Sequence, residues 1–66
     1  MKITINGETR EFPKGTTLYD VIEKLGLEGK VMAAAKNMKI IKQERWKEEF
    51  LEDGDKLELL DFVGGG

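Results

Sequence analysis

Apolar and polar residues alternate at the start of the chain. In residues 2–6, Ile3 and Ile5 fall on one side and Lys2 and Thr4 on the other, the period of a half-buried strand. Asn6-Gly7 follows, a pair that tolerates positive φ and predicts a tight hairpin turn. Residues 9–12 then return as a second strand, and Pro13-Lys14-Gly15 stops it, because proline cannot continue a ladder. Next the period lengthens. Leu18, Val21, Ile22 and Leu25 recur at i, i+3, i+4 and i+7, one apolar stripe of a helix. Thr17 is its predicted N-cap, with Asp20 placed to close a capping box. Gly26 is its predicted C′ glycine, and Leu27 is expected to fold back over the last turn.

The run at 31–35, Val-Met-Ala-Ala-Ala, is short and continuously apolar, which predicts a strand covered on both faces. Asn37 marks a turn, Ile40-Ile41 a short strand, and residues 43–47 a single helical turn carrying Trp46, expected as a cap on the core. Asp53-Gly54-Asp55 reads as a turn, not a calcium loop, since the twelve-residue ligand pattern is missing. Residues 56–63 form the last predicted strand. One amphipathic helix among strands predicts an α+β fold, a helix laid on one face of a small mixed sheet. The expected organisation is a single domain over 1–63 and a flexible C-terminal glycine tail, 64–66.

Composition narrows the chemistry. The chain has 66 residues, one domain's length, with 11 Lys and Arg against 13 Asp and Glu and a net charge of -2. There is no cysteine, hence no disulfide, thiolate nucleophile or zinc-cysteine site, and no histidine to act as a near-neutral base or metal ligand. The charge balance gives no footprint for nucleic acid. No apolar run approaches the ~20 residues of a membrane-spanning helix, and no signal-peptide pattern is visible, so a cytoplasmic protein is expected. No metal and no bound cofactor are expected either. The acidic stretch Glu48, Glu49, Glu52, Asp53 and Asp55 is read as a solvated face, as are Lys36, Lys39 and Lys42, and Met32 is read as packing.

The end of the chain carries the candidate chemistry. Gly64, Gly65 and Gly66 pack nothing and are entropically costly to order. Alone they have two readings: a frayed terminus, or a side-chain-free tail that threads a narrow slot and presents an ionised carboxylate. In the last strand, Leu57 and Leu59 alternate with Glu58. If Glu58 faces water, Leu60 and Phe62 share its side, as candidate partner-binding anchors or, for Phe62, as satellite core over the sheet edge.

Across its whole length the chain resembles the ThiS family of ubiquitin-like sulfur carriers. The residues are Met1-Lys2-Ile3-Thr4-Ile5-Asn6-Gly7-Glu8, Gly15-Thr16-Thr17-Leu18, Gly26-Leu27, Asn37, Ile40, Ile41 and Trp46, Asp53-Gly54-Asp55, and Phe62-Val63-Gly64-Gly65-Gly66. Two positions depart: Met38 stands where the family commonly has glycine, and Lys42 where proline is common. The resemblance implies a β-grasp fold and a carrier, not an enzyme. It implies a ThiF-type adenylating partner that uses MgATP on the Gly66 carboxylate, a sulfur donor protein that converts the adenylate to a thiocarboxylate, and a ThiG-type thiazole synthase as acceptor. The free carrier is expected to be monomeric. A MoaD-like carrier for molybdopterin synthesis and a ubiquitin-like modifier conjugated through Gly66 share the activation step and stand as rivals.

Overall fold

The computed structural model describes residues 1–61. The chain runs β1 (Lys2–Ile5), β2 (Glu8–Glu11), α1 (Leu18–Lys24), β3 (Val31–Lys36), β4 (Lys39–Ile41), a 3-10 helix (Gln43–Glu48) and β5 (Lys56–Asp61). Phe62 and the glycines Gly64, Gly65 and Gly66 lie outside the described residues, as does the predicted boundary at 63.

The local signals in the sequence account for most of these elements. Asn6 and Gly7 take φ of 50° and 86°, the left-handed pair that a two-residue hairpin turn requires, and Ile5 pairs with Glu8 across it. In α1, Asp20 N–H donates to Thr17 Oγ1 at 3.1 Å and Thr17 N–H donates back to Asp20 Oδ2 at 3.0 Å, a complete capping box. The other end closes as predicted. Gly26 N–H donates to the Glu23 carbonyl and Leu27 N–H to the Ile22 carbonyl, the two bonds of a Schellman motif.

The five strands form one sheet in the order β2-β1-β5-β3-β4, with β1 and β5 parallel and the remaining pairs antiparallel. One face is buried. Ile3, Ile5, Leu57, Leu59, Val31 and Ala34 meet Leu18, Val21 and Ile22 of the helix in a single core. Trp46 joins that core, and its indole N–H donates to the Ile41 carbonyl at 2.9 Å, so the aromatic caps the core as expected.

Three expectations are corrected. The strand at β3 is covered on one face only. Val31 and Ala34 are buried, but Met32 is 56% exposed: the lone helix covers one side of the sheet, and an irregularity between Val31 and Ala33 breaks the alternation, so that residues three apart share the covered side. Lys36 is not freely solvated: its ammonium sits 2.6 Å from Glu49, both side chains largely covered. Nor is the acidic stretch a uniformly solvated face. Asp55 is buried and accepts hydrogen bonds from Asn37 Nδ2 and Glu52 N–H, and Asp53 accepts from Lys2 N–H.

Candidate functional site

The uncovered face of the sheet holds the candidate site. Along β5, Leu57 and Leu59 point into the core, so alternation sends Glu58 and Leu60 outward. Leu60, a predicted partner anchor, is 62% exposed, an apolar side chain held in water by its position in the strand.

Register brings other residues to it. Ala33 pairs with Leu60, and Ala35 pairs with Glu58 on one side and with Ile40 of β4 on the other. Ile40 is itself 72% exposed. The result is an open trough with an alanine floor, walled by Leu60 and Glu58 along one side and Ile40 along the other, with Asn6 also lining it. The two walls stand two strand spacings apart, about 10 Å, room for one extended chain or a row of side chains. The opposite end of the same face is polar: Thr4 and Thr9 place their hydroxyls 3.2 Å apart, and Lys2 pairs with Glu11. Apolar surface is therefore concentrated on the β5-β3-β4 half.

The chemistry of this face is recognition. Among the described residues, the trough itself carries one carboxylate, Glu58, and no nucleophile or base held by a second polar group. Among the described residues no group of three or more His, Cys, Asp or Glu side chains is placed to hold a metal ion, and no helix is long and apolar enough to cross a membrane. Lys36 titrates above its usual range. Its hydrogen bond to Glu49 raises its pKa, with further help from the charges of Glu49, Asp55 and Glu52, against a smaller lowering by burial. Lys36 pairs in register with the buried Leu57, so it belongs to the helix-side face and not to the trough.

Of the predicted site residues, Leu60 is placed on the trough, while Phe62, Gly64, Gly65 and Gly66 fall beyond the described residues. The sequence reading missed Ile40, Ala33 and Ala35 as trough residues. The pairing register of β3 with β5 and β4 is the signal that would have found them, since it fixes which members of an apolar run share the side of Leu60.

A mixed five-stranded sheet with one helix packed across one face, its apolar trough on the other, defines a β-grasp domain of the ubiquitin-like type. The comparisons carry this further. The family model described as the ThiS family matches residues 3–66, and the chain belongs to that family. It is 37% identical over 65 residues to the sulfur carrier protein ThiS of Bacillus subtilis, covering 97% of this chain and 98% of that one. It is 36% identical over 66 residues to a thiazole synthase of Paramagnetospirillum magneticum, covering all of this chain but 20% of that protein, so it spans about one fifth of that relative. The crystal structure of a thiamine biosynthesis protein (ThiS) from Geobacter metallireducens superposes with a TM-score of 0.81 over the full length of both chains at 24% identity, the same fold.

Proposed function

We propose that the chain, a sulfur carrier of the ThiS type in thiamin biosynthesis, works through the carboxylate of Gly66. A ThiF-type enzyme holding MgATP lets that carboxylate attack the α-phosphorus, forming an acyl adenylate and releasing pyrophosphate. Sulfide delivered by a sulfur donor protein then displaces AMP, and the glycine ends as a thiocarboxylate. A ThiG-type thiazole synthase takes the sulfur.

The observation that carries this reading is the double match. The same 66-residue unit aligns with a free-standing sulfur carrier and with a fifth of a thiazole synthase. A carrier-like segment within one thiazole synthase chain supports a partnership between the two activities. The residue inventory fits. Without cysteine the chain has no side-chain persulfide to offer, which leaves its main-chain carboxylate as the sulfur site, and without histidine it leaves the acid–base work to its partners. In this reading the chain is a co-substrate and not a catalyst, monomeric when free, and cytoplasmic beside its enzymes. Leu60 anchors the adenylating enzyme and the synthase at the trough, Phe62 is a second anchor for them, and Gly64 and Gly65 give the clearance to thread a closed active site.

The test is to load the chain with isotopic sulfur at Gly66 and supply it to a thiazole synthase with its other substrates. Label in the thiazole ring supports the reading. Label that enters a pterin dithiolene, or a chain found isopeptide-linked to lysines, overturns it in favour of the molybdopterin carrier or the modifier.

A further inference from the structure

Two asparagine side chains hold β5 from neighbouring turns. Asn6 and Asn37 both sit at φ 50°, each as the first residue of a hairpin turn. Asn37 acts at the start of β5: Lys56 N–H donates to its Oδ1 at 3.0 Å. Asn6 acts toward the other end. The backbone pairing of β1 with β5 stops where Asn6 N–H donates to the Leu57 carbonyl at 2.9 Å, because the hairpin then carries the chain away. Leu59, two residues further along β5, would have no strand partner on that side. Its N–H instead donates to Asn6 Oδ1 at 2.8 Å, and its carbonyl accepts from Asn6 Nδ2 at 3.2 Å. One amide takes the place of two ladder bonds.

The turn does not need that amide. Glycine adopts the same φ without strain. The polar atoms of Asn6 are committed to Leu59, the residue before Leu60 and seven residues before Gly66. An extended chain of that length reaches about 24 Å. On its other edge β5 stays paired with β3 as far as Asp61, so among the described residues the Asn6 amide is the last anchor on the β1 edge.

We propose that Asn6 is a positioning residue for the transfer chemistry: its amide holds the β1 edge of β5 at Leu59, where backbone pairing with β1 has ended, and so steadies the end of the strand that leads toward Gly66. This inference rests on the carrier reading above.

The test compares Asn6→Gly with Asn37→Gly. Each keeps a turn residue suited to positive φ and removes one side-chain clamp on β5. Adenylation is followed under a ThiF-type enzyme and MgATP, with kcat and KM measured separately for the carrier, and amide exchange is read at Leu59. The expected result is faster exchange at Leu59 in Asn6→Gly and a kcat about tenfold lower with KM within about twofold, while Asn37→Gly keeps kcat within about twofold. Equal losses in both variants, or wild-type kcat in Asn6→Gly, would overturn the positioning role alone. A wild-type chain that no such enzyme adenylates would overturn the carrier reading and this inference with it.

Discussion

Asn37 Nδ2 donates to Asp55 Oδ1 at 2.9 Å and so ties the turn between β3 and β4 to the turn that launches β5. The second oxygen of Asp55 accepts from Glu52 N–H at 2.7 Å, and the side chain is buried. One carboxylate thus holds two loops that are distant in sequence at the base of the strand that carries Leu60. Truncating it removes the acceptor of both the Asn37 amide and the Glu52 N–H. Asp55→Ala should cost about 2 kcal/mol, since hydrogen bonds to a charged acceptor contribute roughly 1.5–3 kcal/mol. A urea titration checks this, and an unchanged midpoint would show that water replaces the carboxylate freely.

Met38 occupies the second turn position at φ 72° and is 96% exposed. Its side chain pays the left-handed penalty and packs little in return. Met38→Gly should therefore stabilise the protein by about 1 kcal/mol, less glycine's extra chain entropy, and raise Tm by a few degrees. A calorimetric scan showing a lower Tm would mean that the methionine makes contacts worth more than its strain.

Leu60 divides stability from recognition. At 62% exposure it adds little to the core, so Leu60→Asp should shift stability by no more than about 0.5 kcal/mol. The same change places a second charge beside Glu58 in the trough and should raise the carrier's KM with its adenylating enzyme roughly tenfold or more. Unaltered steady-state kinetics would remove the trough from the docking surface.

Lys36 and Glu49 make stability depend on alkaline pH. The folded chain raises the pKa of Lys36 above its usual 10.5, so the pair's contribution is complete below that value and is lost as pH climbs through the raised one. Stability measured from pH 8 to above 11 should fall more steeply in the wild type than in Lys36→Met. The pair should be worth about 1 kcal/mol at neutral pH. Parallel curves would mean that the ion pair contributes nothing.

The elements readable in the sequence were those set by neighbours along the chain. The Asn6-Gly7 turn, the Thr17–Asp20 capping box and the Gly26 cap each use contacts within a few residues, and all are present. What stayed hidden depends on partners far away in sequence. Val31 to Ala35 looked covered on both sides because apolar letters do not reveal which side the helix takes, and alanine is small enough to line an open face. Ile40 read as an ordinary strand residue until its pairing with Ala35 placed it across the trough from Leu60. The Asn6 clamp lies 53 positions from Leu59, and no local pattern encodes it.

The intact mass of the chain after incubation with a ThiF-type enzyme, MgATP and a sulfur source tests the central claim most directly. The account predicts the gain of one sulfur for one oxygen, abolished when Gly66 is removed. A mass that stays unchanged while the same enzyme loads the Bacillus subtilis carrier would contradict it.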